Sequence, residues 1–396
     1  MAFLALIVGF ALWLGFSALS AKSNLDKARD SAQQVKDSLL KGETEQASQA
    51  ADNAFAQAQR AQAAAHSLPW NLLSAVPVIG SPFKTGQQIS DVVVGLAGDL
   101  LRPAAGAGIG LTPSKLYQNG RVDVQLLRQE EPQLARLSED AQRLDAQAAA
   151  ITDPAYLSPL RNARSQLQTQ TSDLASLLKN SAVAARVAPA MMGADGPRSY
   201  LLAFQTNAEA RGTGGLLGGF GVLRFDNGKP TVDTLAPNTE LAGATAQVDL
   251  GPEYQRLYGW ANPFTDFRNS NLSAHFPNAA QIWKSMWERQ ANTRIDGVIG
   301  VDPVALSYIL AATGPVTIPG GEVITQDNVV ELTESTAYIR FPTDQPARKR
   351  YLQDIASAVV QKMTKSVDSP RKLLDALGQA TSERRIMVWS AVPADQ

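Results

Sequence analysis

The chain has 396 residues, room for two or three domains at roughly 150 residues each. With 44% hydrophobic and 18% charged residues it can bury a sizeable core, which excludes a fully disordered chain. Acids and bases nearly cancel at 37 against 36, there is no cysteine, and the two histidines are His66 and His275; this excludes a bulk-basic nucleic-acid binder, disulfides, thiol nucleophiles and multi-histidine metal sites.

Residues 2–21, AFLALIVGFALWLGFSALSA, carry no charge. About twenty helical residues span about 30 Å, a bilayer core. No basic segment precedes the run, and it is long for a signal peptide. The run therefore predicts an uncleaved transmembrane anchor over 1–21 and a single-pass, cell-membrane protein. Lys22, Lys27 and Arg29 follow it, a charge signal that alone would keep the rest of the chain cytoplasmic.

Residues 23–68 are rich in Ala, Gln and Lys, with no proline and one glycine, Gly42. That composition favours helix. It predicts a helical hairpin turning near residues 40–43, with small residues letting the two helices approach closely. Residues 68–82, LPWNLLSAVPVIGSP, hold three prolines. They read either as an interfacial segment presenting Trp70 or as a loop buried between helices. Residues 87–101 are amphipathic, 106–117 form a glycine- and proline-bearing loop, and 122–150 and 156–187 repeat leucine at helical spacing. The sequence thus predicts a helical stalk or bundle over 22–190.

The pattern changes after Gly193. SYLLAFQTN and GVLRFDNGKPTVDTL read as strands, joined in a hairpin at Asn227-Gly228, which supplies the positive φ of a tight turn. NAAQIWKSMWERQ is a helix, RIDGVIGVD a strand, and PVALSYILAATG a helix opened by Pro303. TQDNVVELTES and ARKRYLQDIASAVVQKMTK are helices. Strands alternating with helices predict an α/β domain over 191–396. The chain stops at RRIMVWSAVPADQ, a strand entering a loop, so a C-terminal truncation is expected.

Three stretches carry candidate chemistry. RGTGGLLGGFG, residues 211–221, has six glycines in eleven residues but no P-loop ending. Glycines permit close backbone packing as readily as a ligand cradle. Arg211 and Glu209 beside them add an anion-binding reading. The polar loop NPFTDFRNSNLSAHFP places Asp266 two residues from Arg268. His275 lies in it, but no GxSxG elbow supplies a serine partner. YIRFPTDQPARKRYLQDI concentrates Arg340, Arg348, Lys349 and Arg350. Guanidinium groups grip phosphate oxygens in pairs, so this stretch fits either a pyrophosphate clamp or a solvated helix start.

RSYLLAFQTNAEARGTGGLLGGFG, NPFTDFRNSN, IDGVIGVDPVALSYILAATGPVTI and STAYIRFPTDQPARKRYLQDI together resemble the bacterial envelope proteins of domain-of-unknown-function family 4012. In the same order they are distantly similar to LytR-CpsA-Psr phosphotransferases. That resemblance implies a mixed sheet with flanking helices, outside the cytoplasmic membrane. It implies an enzyme that moves a glycopolymer from a polyprenyl-diphosphate lipid to peptidoglycan. By position Arg211, Arg340 and Arg350 would match phosphate-contacting arginines, with Arg348 beside them, and Asn207 falls near the first acid. Glu209 and Arg268 would support the site, and Asp266 would be its candidate for holding Mg2+. The departures are a glycine run, 214–219, where that family carries an Asp-Thr pair, and Pro342 where its Arg-x-Arg ends. The rival expectation is a non-catalytic envelope scaffold or glycan-binding protein with a degenerate site.

Overall fold

The computed structural model describes residues 2–77, 79–106, 113–233, 235–364 and 369–395, with the side chains of 2–15, Leu40 and Pro113 left aside. The chain divides into two compact units. The first holds Met1–Thr112 and Leu126–Arg186, the second Pro113–Gln125 and Val187–Gln396.

The first unit is helical. Helices α1 (Ala2–Lys41) and α2 (Thr44–Ala65) form the expected hairpin, turning at Gly42. The buried face of α2 is almost wholly alanine, and Ala54 and Ala58 meet Ala28 of α1. Side chains this small let two backbones come close. Helix α3 (Leu68–Ser74) follows, with Pro69 in its first turn, where no amide donor is needed. Trp70 is only 9% exposed and meets Phe83 edge-on at 5.3 Å. Trp70 is thus buried, whereas Leu68, Leu72, Val76 and Ile79 of the same stretch are exposed, so neither reading holds for the whole of it. Helix α4 (Ser81–Gly95) runs on through a π-helical turn, Leu96–Leu101. Helices α5 (Val124–Ala149) and α6 (Ser158–Met191) bury leucines at helical spacing, among them Leu137 and Leu144. Six residues of the loop expected at 106–117, numbers 107–112, lie outside the described residues.

The expected transmembrane anchor is corrected. Among the described residues no helix is long and apolar enough to cross a membrane. From Phe16 onward, one bilayer length of α1 takes in Lys22, Asp26, Lys27, Arg29 and Asp30, and each is costly in hydrocarbon. The side chains of 2–15, on which the rest of that expectation fell, lie outside the described residues. The single-pass, cell-membrane placement falls with the anchor.

The second unit is a sheet between two helical layers. Strands β1 (Arg198–Arg211) and β2 (Gly214–Asp226) form a long antiparallel hairpin, and β3 (Lys229–Val232) continues it. Helix α7 (Phe276–Ala291) then leads to β4 (Gly297–Val301), which pairs parallel with β1, Tyr200 opposite Gly297. A parallel pair needs a long crossover, and α7 lies within it. Helices α8 (Pro303–Thr313), α9 (residues 329–340), α10 (Gln345–Met363) and α11 (Pro370–Ser382) precede the last strand, β5 (Ile386–Ser390). The order across the sheet is β5-β4-β1-β2-β3. Alternation along β1 sends Leu202 and Phe204 to a core with α8, α9 and α10, and Leu201 and Ala203 to a core with Trp283 and Met286 of α7.

The glycine run 214–219 lies in strand β2 rather than in a loop. A Cβ on Gly215 would lie 2.1 Å from the Thr206 carbonyl oxygen, and one on Gly212 would lie 2.1 Å from that of Leu272. Neighbouring backbone, rather than a ligand, requires glycine there. Gly215→Ala is expected to cost about 1–3 kcal/mol of stability, as overpacking does, measured by urea unfolding. A neutral result would mean β1 and β2 do not approach as described.

Candidate functional site

The far end of β1 departs from regular pairing after Thr206. This irregularity turns residues 207–211 toward two different neighbours. Beneath it, buried Asn271 donates from Nδ2 to the Thr213 hydroxyl at 2.7 Å and to the Gly215 carbonyl at 2.8 Å. The polar loop before α7 is thereby tied to the glycine-bearing strand.

On one side lies α9, whose middle turn, Leu332–Thr336, is π-helical. Such turns are frequent at functional sites. Glu334 projects from this turn and accepts the backbone N–H groups of Asn207, at 3.1 Å, and of Ala208. Burial pushes its carboxyl above the usual carboxylate range, against the pull of those two donors. One turn on, the Tyr338 hydroxyl donates to Glu209 at 3.2 Å and lies 3.3 Å from that of Thr206. The Arg348 guanidinium sits 4.4 Å from the centre of the Tyr338 ring, a cation–π contact. Burial, then Arg348, hold the Lys349 ammonium below its ordinary pKa, while Glu209 opposes them. Glu209, Tyr338, Arg348 and Lys349 thus form one cluster. Lys349 and Thr206 also line a cavity of about 60 Å³ between sheet and helices, with Phe204, Leu306 and Leu352 among its apolar walls.

On the other side, Arg211 donates to the carbonyls of Arg268 and Ala210, both at 2.9 Å. Arg268 grips both oxygens of Asp266, at 2.8 and 2.7 Å, and donates its own backbone N–H to the first. The Arg268 hydrogen bonds, with Arg211 nearby, hold the Asp266 carboxyl below its ordinary range. Asp266 does not fit the expected Mg2+: both its oxygens are taken by a guanidinium and a second arginine stands close. Among the described residues no three His, Asp or Glu are grouped so as to hold a metal.

The expected arginines fall into separate groups. Arg211 and Arg268 share the Asp266 group, and Arg348 joins Glu209. Arg340, by contrast, is paired through both its terminal nitrogens with Glu322, at 2.7 and 3.0 Å, and stacks 4.8 Å from the Tyr351 ring. Arg350 is exposed on α10. Asn207 contributes its backbone N–H, and its side-chain oxygen is buried without a partner. His275 precedes α7, where its Nδ1 faces Asn278 at 3.4 Å.

Sequence reasoning missed Glu334, Thr206 and Asp302. Asp302 caps α8 through Ala305 N–H at 3.0 Å, meets Arg385 at 3.1 Å and lines the same cavity. Its place before Pro303 was a readable cap signal. Glu334 gave none, because nothing in VVELTES marks a π-helical turn.

Residues 195–338 match the model of a family described as protein of unknown function (DUF4012). The match runs from just before β1 to Tyr338 and stops short of Arg348 and Lys349. No curated protein and no solved structure matches the chain. The finer likeness to LytR-CpsA-Psr phosphotransferases is therefore not shown by any match.

Proposed function

We propose that the α/β unit binds a phosphate-bearing amphiphile of the polyprenyl-diphosphate glycan class and does not turn it over. The observation that carries this reading is Lys349 in the wall of a mostly apolar cavity, with Arg348 next to it in the chain on the Tyr338 ring. Two cations beside apolar walls suit an anionic head group, and a cavity of about 60 Å³ takes only the first carbons of its tail. The reading stops at binding because the nearby carboxylates are engaged. Glu209 accepts from Tyr338, Glu334 from two backbone amides, Asp302 from Ala305 and Arg385, and Asp266 from Arg268. Metal-assisted phosphoryl transfer needs a carboxylate free to place a cation on the bridging oxygens.

One observation favours the rival, a glycopolymer transferase: Glu334 holds its proton above the usual range, as a general acid does. Calorimetry of the full chain with farnesyl diphosphate separates the readings. Saturable binding with Kd on the order of 10 μM is expected. Arg348→Glu with Lys349→Glu should weaken it at least tenfold, roughly two lost charge-assisted contacts. Inorganic pyrophosphate should bind less well, lacking the tail. No saturable uptake by the wild-type chain sinks the proposal. Phosphate release that depends on Glu334 would replace binding with transfer.

A further inference from the structure

We infer that the helical unit holds a second binding site, for a long-chain fatty acid, in a cavity of about 720 Å³ bounded by α1, α4 and α6. This does not rest on the reading of the α/β unit. The volume falls within the range of small-molecule sites, roughly 300–1,000 Å³. Its walls include Leu25, Phe83, Ile89, Val93, Leu160 and Leu167. The polar members, Lys22, Asp26, Arg29, Gln166 and Gln170, leave most of the wall apolar. An aliphatic chain needs no polar partner there.

The head group is read from the rim. Lys22, Asp26 and Arg29 line the cavity from α1, at spacings of four and three residues that place them on one helix face. Lys22 and Arg29 are exposed, and among the described residues neither forms an ion pair with a protein carboxylate. Two cations and one anion leave a single positive charge, which complements a monoanionic carboxylate rather than a diphosphate. Trp70 lines the cavity and is only 9% exposed, so its ring adds to the apolar wall.

The test is a fluorescence titration of the full chain with cis-parinarate, a fluorescent fatty acid. Saturable uptake with Kd on the order of 1 μM is expected. Ala163 lines the cavity and is otherwise exposed, so Ala163→Phe should fill the space without unfolding the helices. Binding should weaken about tenfold with the unfolding midpoint unchanged. Lys22→Gln with Arg29→Gln should weaken the acid about fivefold and leave the parinarate methyl ester unaffected. Absence of saturable uptake, unchanged binding by Ala163→Phe, or equal affinity for acid and ester would each overturn the inference. So would a dimer in sedimentation that Ala163→Phe disperses while parinarate is ignored, which would assign the cavity to a second copy of the chain.

Discussion

Trp283→Ala is expected to lower the stability of the α/β unit by about 3–5 kcal/mol, against a usual total of about 5–15. Trp283 is fully buried in α7. Its ring meets Phe276 edge-on at 6.1 Å, and its indole N–H donates to the Ser270 hydroxyl at 2.6 Å. Ser270 is itself fully buried and its hydroxyl donates a hydrogen bond to the Phe267 carbonyl at 2.6 Å. Truncation removes the ring, leaves a cavity under the sheet and orphans a hydroxyl lone pair. Trp283→Phe keeps most of the packing and loses the donor, so it should cost only about 1–2 kcal/mol. Urea unfolding followed by near-ultraviolet circular dichroism measures both. A loss below about 1 kcal/mol for the alanine variant would mean that α7 does not pack on β1 and β4 through this ring.

Glu334 is expected to make stability depend on pH in a direction opposite to most carboxyls. Its ordinary value is 4.5, and burial raises it in the fold. The folded chain therefore keeps a proton that the unfolded chain has already released. The stability this group contributes is complete below pH 4.5 and is lost as pH rises through its folded value. Glu334→Gln cannot ionise. The stability of the wild type relative to that variant should fall as pH is raised from about 4 to 8. A constant offset from the lost second acceptor does not alter that slope. Glu334→Ala should cost about 2 kcal/mol near pH 4, because the amides of Asn207 and Ala208 lose their acceptor, and the cost should shrink as pH rises, as for the glutamine variant. A difference that grows with pH would mean that the two amides hold the ionised form, and that Glu334 is a clamp on β1 rather than a proton carrier.

These two residues also separate what was readable in the chain from what was not. Trp283 stands in NAAQIWKSMWERQ, where apolar residues recur at helical spacing, and its burial followed from that period. The hairpin at Asn227-Gly228 was legible for the same kind of reason: Asn227 has φ 45° and Gly228 φ 79°, angles that these residue types adopt at little cost. The site was legible only in part. Asp266 and Arg268 pair as their spacing suggested, and Arg211, far off in the chain, joins them through the Arg268 carbonyl, so the three are engaged with each other rather than with a cation. Arg340 stood in the same basic run as Arg348, but Glu322, eighteen residues before it, claims its guanidinium.

By itself the sequence determined the helical first half, the strand and helix order of the second, and the exclusion of thiol and multi-histidine chemistry. Each of these follows from local period, from turn residues or from residue type alone. Tertiary structure alone decided that Glu334 reaches the amides of β1, that Glu322 takes the guanidinium of Arg340, and that Leu25 and Leu167 face a shared apolar cavity. Those outcomes depend on which groups far apart in the chain become neighbours, and local propensity carries no information about a partner more than a few residues away.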